Sequence, residues 1–199
     1  MPHEAGRLAA RYLQVIEDDI VPLTEAGVEK GNKLFGAAIL RKSDFSLVVA
    51  GTNQERLNPL FHGEISALNA FFALPASERP DARECLFLAT HEPCSLCLSA
   101  ITWAGFDNFA YLFAYEDTRD AFSIPHDLAI LREVFGVEGG AYRHDNAFWS
   151  GRSLAELIAA APEEERPGLA ARAEALSKVY ARLSDIYQSR KGEGPIALA

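Results

Sequence analysis

Two short stretches constrain this chain more than any others: His62-Gly63-Glu64 and Pro93-Cys94-Ser95-Leu96-Cys97. Together they offer one imidazole, two thiols and a carboxylate. One His plus two Cys is a ligand set that zinc favours, and a tetrahedral catalytic site needs three protein ligands with a fourth position open for water. Any fold of the chain must therefore bring the two segments together. Glu64, outside the ligand set, is free to move protons. A C-x-x-C pair also serves as a redox dithiol or as half of a four-cysteine structural zinc site. The redox use wants a thioredoxin-like setting that is absent here, and the third cysteine, Cys85, does not complete a second C-x-x-C. Zinc shared with His62 is the reading that uses both stretches, and Cys85 is expected to pack as a small hydrophobe.

The spacing of apolar residues places these motifs on elements. Leu8, Tyr12, Val15, Ile16, Ile20 and Leu23 predict an amphipathic N-terminal helix that Pro22 ends or kinks. Phe35 to Leu40 and Ser46 to Ala50 read as a strand pair around a polar turn, and Gly51 to Phe61 as loop. A helix from His62 to Phe72 should bury Ile65, Leu68 and Phe72. Glu84 to Thr90 reads as a strand, and Cys94 to Trp103 as a helix with Pro93 before it and Gly105 after it. On that helix the two cysteines share a face, and its exposed N–H groups favour thiolates. Phe109 to Tyr115 is the next strand, followed by a helix near Asp127 to Phe135 and a short strand at Ala141-Tyr142-Arg143. A strand, helix, strand order demands a crossover, so the last two strands should be parallel.

Within the connections, His91 is a candidate ligand or substrate contact that also suits a plain loop position, and Glu92 should stabilise the turn before Pro93. Asn53 can hold a heterocycle's amide edge or a ribose hydroxyl, or can simply bond its own backbone in a turn. Asp117 and Asp120, in the charged run after a strand end, could read a substrate amine; a solvated loop is the preferred reading. Beyond Trp149 the composition turns to Ala, Glu, Arg and Leu, which predicts two helices separated by Pro162 and Pro167, then a loose end at Lys191-Gly192-Glu193-Gly194-Pro195.

A chain of 199 residues fits one domain of 1–150 with a helical extension of 151–199 lying on it or at a dimer interface. The net charge of −9 argues against an extended nucleic-acid surface. The few cysteines and the lack of a signal-like or membrane-spanning apolar run point to a cytoplasmic setting without membrane contact.

The H-x-E and P-C-x-x-C pair is a known signature of zinc deaminases, and the chain resembles the cytidine and deoxycytidylate deaminase superfamily, which includes cytosine, guanine and tRNA adenosine deaminases. Phe35-Gly36-Ala37-Ala38-Ile39-Leu40 resembles its early strand, Gly51-Thr52-Asn53 its substrate-contacting Asn turn, and Asn58-Pro59 the approach to the His. The resemblance implies a three-layer α/β/α mixed sheet, with the parallel last strands of the guanine, deoxycytidylate and tRNA adenosine branches. It implies Zn²⁺ on His62, Cys94 and Cys97, Glu64 as the catalytic acid and base, and Asn53 and Phe35 as substrate contacts. The activity implied is hydrolytic deamination of a cytosine- or guanine-type nucleobase or nucleoside by a homodimer. RNA editing of the tRNA adenosine deaminase kind, or a zinc-binding module without activity, are the alternatives. Two residues depart from the pattern: Gly63, where Ala is more frequent, and Leu60, where Thr is common.

Overall fold

The computed structural model describes residues 2–191, so the expected loose end beyond Lys191 lies outside the described residues. The N-terminal apolar spacing forms α1 (Pro2–Val15) and α2 (Val21–Glu29), joined by a wide helical turn over Ile16–Ile20. Pro22 explains the turn. Its ring lacks an N–H and collides with the carbonyl of the preceding turn in a regular α-helix. Here the Val21 N–H bonds the Ile16 carbonyl five residues back, and the helix widens where proline needs room. Tyr12, Leu13, Ile16 and Ile20 are all buried as a result.

β1 (Gly36–Arg41) and β2 (Leu47–Thr52) form the expected antiparallel hairpin. α3 (Gly63–Ala73) comes next, then β3 (Cys85–His91), α4 (Ser95–Trp103) and β4 (Asn108–Phe113). α5 (Tyr115–Asp120) and α6 (His126–Phe135) lead to β5 (Ser150–Ser153), and α7 (Leu154–Ala160) and α8 (Arg166–Ser189) close the described chain. The sheet order is β2-β1-β3-β4-β5, with β1 antiparallel to both neighbours and β3, β4 and β5 parallel. Side chains alternate across the strands. Ala37, Ile39, Phe87, Ala89 and Tyr111 meet Phe71 and Ile101 of α3 and α4, while Ala38, Leu40, Leu88 and Ala110 meet Leu13, Leu169 and Leu176 on the opposite side. The result is the three-layer α/β/α mixed sheet.

Three sequence expectations are corrected. In α3 it is Phe71 that is buried, and Phe72 is 47% exposed. A Cβ on Gly51 would lie 2.7 Å from the Ala67 nitrogen, so the helix rests directly on β2 at Ala67 and Phe71, four residues on, shares that face. The last strand is Ser150–Ser153, and Ala141-Tyr142-Arg143 is irregular. Gly151 makes room there for the Phe109 ring, whose Cζ would be 2.5 Å from a Cβ, an advantage invisible to strand propensity. The charged run is the short helix α5, with the Asp117 carboxylate accepting from the Ala114 N–H at 2.9 Å.

Ser153 caps α7 through a reciprocal pair with Glu156, at 3.1 Å and 2.8 Å. Pro167 sits in the first turn of α8, starting that helix and not dividing it. Arg172 reaches back to both carboxylate oxygens of Glu17 at 3.1 Å and 2.7 Å. β5 lies across the position where the extension was expected to begin, and Leu154, Leu169, Leu176 and Leu183 share one core with α1. Among the described residues no helix is long and apolar enough to cross a membrane.

Candidate metal centre and active site

α3 and α4 lie on one face of the sheet and begin side by side, with His62 and Cys94 as their N-cap residues. Neither cap side chain bonds its own helix, which leaves both free for another partner. The Nδ1 of His62 is 3.4 Å from the Cys94 sulfur and 3.7 Å from the Cys97 sulfur. Ordinary Zn–N and Zn–S bonds at tetrahedral angles separate N and S by about 3.5 Å. All three ligand atoms lie within 4.8 Å of one another, so the set fits a zinc ion without rearrangement.

The imidazole is held from behind. Its Nε2 faces Glu55 Oε1 at 3.5 Å, and the same oxygen accepts from the Lys33 ammonium at 3.1 Å. Glu55 and Lys33 are both buried. A carboxylate on the far nitrogen fixes the tautomer that presents Nδ1 to the sulfurs. The hydrogen bond from Cys97, then that from His62, holds the Cys94 thiol well below its usual range against the effect of burial, while burial pushes Cys97 up. A divalent cation between them would deprotonate both.

Glu64 sits in the first turn of α3, buried, with its carboxyl near Cys97. Burial, then the Cys94 charge, pushes it up to about 7, and a cation on the three ligands would pull it back down. A cavity of 250 Å³ opens beside His62 and Cys94. Phe35, Leu60, Leu96, Ile124 and Ile130 supply its apolar wall, and Lys33, His126 and Asp127 its polar one. Burial, and next the charge of Cys94, pushes the Asp127 carboxyl up to about 7.

Residues 19–113 match the family model described as the cytidine and deoxycytidylate deaminase zinc-binding region. Over these residues the chain carries the zinc-binding region of the cytidine and deoxycytidylate deaminase superfamily. A probable cytosine deaminase of Schizosaccharomyces pombe is 23% identical over 149 residues, spanning 67% of this chain and 90% of that protein. Among solved structures, a guanine deaminase from Nitrosomonas europaea is 22% identical, with a TM-score of 0.47 over 85% of this chain and 81% of its own. A deaminase acting at the wobble position of transfer RNA is 18% identical, with a TM-score of 0.47 over 67% of this chain and 92% of its own.

The frequent Ala of this superfamily is excluded at Gly63, because a Cβ there would lie 2.6 Å from the Phe35 carbonyl oxygen and 2.7 Å from the Gly36 Cα. The other departure, Leu60, forms part of the cavity wall. Phe35 lines the cavity as well. Asn53 is fully buried behind it: its Oδ1 accepts from the Glu55 N–H at 3.0 Å, the self-bonding turn, while its Nδ2 has no hydrogen-bond partner among the described residues. Asp117 and Asp120 lie away from the cavity, the first capping α5 and the second paired with Arg119.

His91 is neither a ligand nor a loop residue. It ends β3, buried among the rings of Phe35, Phe113, Phe122 and Tyr180. Glu92 does secure the turn: its Oε1 accepts from the Tyr142 hydroxyl at 2.7 Å and faces His144 Nε2 at 3.1 Å, and its Oε2 accepts from the Tyr115 N–H at 3.1 Å. Sequence reasoning missed Lys33, Glu55, His126 and Asp127. For Asp127, a carboxylate opening a helix next to Pro125 and His126 was the one available cue; Lys33 and Glu55 meet the site only through the fold.

Proposed function

We propose that the chain is a hydrolytic deaminase that converts the amino group of a cytosine- or guanine-type nucleobase or nucleoside to a carbonyl and releases ammonia. A zinc ion on His62, Cys94 and Cys97 would supply Lewis acidity, bringing the acidity of a water at its open position toward neutrality. Glu64 is the group that moves protons. Its carboxylate takes one from the attacking water and delivers it to the ring nitrogen, which leaves the amine-bearing carbon electrophilic. The same carboxylate then takes the second proton from the hydroxyl now on that carbon and gives it to the departing amine, so that water is consumed, ammonia leaves and a C=O remains. The apolar wall excludes bulk water during these transfers, and Phe35 packs on the ring. Asn53 Nδ2 is a buried donor that a substrate acceptor would satisfy, and Asp127 can accept a ring or exocyclic N–H.

The observation that carries this reading is Glu64: a buried carboxyl beside a complete zinc ligand set and outside it, which a purely structural ion would not require. For the substrate, 250 Å³ falls below the roughly 300–1,000 Å³ usual for drug-sized ligands and favours a base or nucleoside over a nucleotide. The resident Lys33 is already matched by Glu55 and is not a spare cation for a phosphate. The S. pombe relative, named as a probable cytosine deaminase, supports the same class. The test is ammonia release from a panel of cytosine, guanine, adenine and their nucleosides, using the zinc-loaded chain and Glu64→Gln. Release by the wild type alone supports the proposal; full zinc occupancy with no release from any member overturns it in favour of a zinc-binding module.

A further inference from the structure

Phe35, the wall of the cavity, is backed by His91, and His91 by Tyr180 from the middle of α8. Ring centroids are 4.6 Å apart from Phe35 to His91 and 5.4 Å from His91 to Tyr180. All three residues are buried. The contacts are edge-on, the arrangement that aromatic quadrupoles favour. His91 also holds the backbone beside Phe35: its Nδ1 bonds the Thr90 hydroxyl at 2.9 Å, and that hydroxyl accepts from the Gly36 N–H at 2.9 Å and donates to the Gly36 carbonyl at 3.1 Å. A buried imidazole whose other nitrogen has no partner among the described residues costs more than a Phe or Leu of similar size. Core filling alone does not account for it. The Tyr180 hydroxyl, beside Thr24 and Thr90, makes no hydrogen bond of ordinary geometry among the described residues, so what Tyr180 contributes is its ring.

We propose that Tyr180 and His91 are positioning residues, a packed column through which the C-terminal helix fixes Phe35 and thereby sets substrate affinity without touching substrate or metal ligands. The substrate half of this rests on the deaminase reading above; the Phe35 half does not. Phe35 and His91 lie inside the matched region 19–113 and α8 outside it, so Tyr180 is what this chain adds to the part that the family model describes.

The experiment places 4-fluorophenylalanine at position 35 of the full, zinc-loaded chain and compares wild type with Tyr180→Phe, Tyr180→Ala and His91→Leu. ¹⁹F NMR, zinc content, and KM and kcat for ammonia release from cytosine and guanine are measured. Tyr180→Phe should leave the resonance and kinetics as in wild type. Tyr180→Ala and His91→Leu should shift or split the resonance and raise KM on the order of tenfold, with zinc content and kcat largely kept. An unmoved resonance and KM in a folded Tyr180→Ala or His91→Leu chain would overturn the column. Should the wild type release no ammonia, the deaminase reading fails, and the fluorine signal still decides whether α8 fixes Phe35.

Discussion

On one face of the sheet, α3 is pressed against the strands through glycine and alanine, α4 packs beside it through Ile101, and the first residues of both helices carry ligands. On the other face, α1, α2 and α8 meet the strands through Tyr12, Leu13, Ile16, Leu176 and Leu183. The close approach at Gly51 and Gly63 leaves no room for a side chain, which seats the start of α3, with His62 and Glu64, directly on β1 and β2. The opposite face is built from large side chains that can yield by a rotamer. Placing ligand side chains takes backbone-to-backbone contact, whereas stability takes apolar area. The two are divided between the faces, joined at Phe35.

That division makes predictions, the largest first. Glu64→Gln should keep one zinc per chain, measured by elemental analysis, and lose roughly 10²–10⁴ in ammonia release, the range for losing a general acid and base. A loss of zinc instead would mean that Glu64 belongs to the ligand set. On the other face, Ile16→Ala should cost about 2–5 kcal/mol in denaturant unfolding, as buried truncations do, with zinc affinity unchanged. Equal damage to both would erase the distinction between the faces. Glu55→Gln should weaken zinc binding by roughly 10–100-fold in a chelator competition and, because it leaves the buried Lys33 ammonium unpaired, lower unfolding stability by about 3–5 kcal/mol; wild-type zinc affinity in the variant would mean that Glu55 does not orient His62.

The smallest effect is on pH. Burial holds His91 down to about 3, so the native state keeps it neutral. The unfolded imidazole takes a proton below about 6.5, so folding stability is full above that pH and falls as the solution is acidified toward 3. The slope is at most about 1.4 kcal/mol per pH unit. His91→Leu should flatten it, as unfolding midpoints between pH 6.5 and 5 would show; an unchanged slope would mean that the imidazole is not held neutral.

The ligand set was legible because zinc chemistry is specific to residue type and spacing, and His62, Cys94 and Cys97 need no knowledge of the fold. The alternation of strands and helices was legible for the same local reason, as was the parallel sense of the last crossover though not the residues of its second strand. What was not legible depends on neighbours distant in sequence. Glu55 is meaningful only once it lies behind His62, and Lys33 only once it lies on Glu55. β5 was missed because its case rests on Phe109 needing the space at Gly151, and His91 because an aromatic cage has no signature in one dimension. Phe72 and Phe71 exchanged places because the seam at Gly51, and not the helix's own apolar spacing, sets the rotation of α3.

The wide turn before Pro22 carries a consequence for the N-terminal arm. One surplus residue in a helix rotates everything upstream by about 100° relative to the downstream segment. Deleting a single residue between Ile16 and Ile20 would therefore straighten the rod yet swing Ala9 and Leu13 off the sheet, detach Glu17 from Arg172 and cost the chain a tether between its two ends.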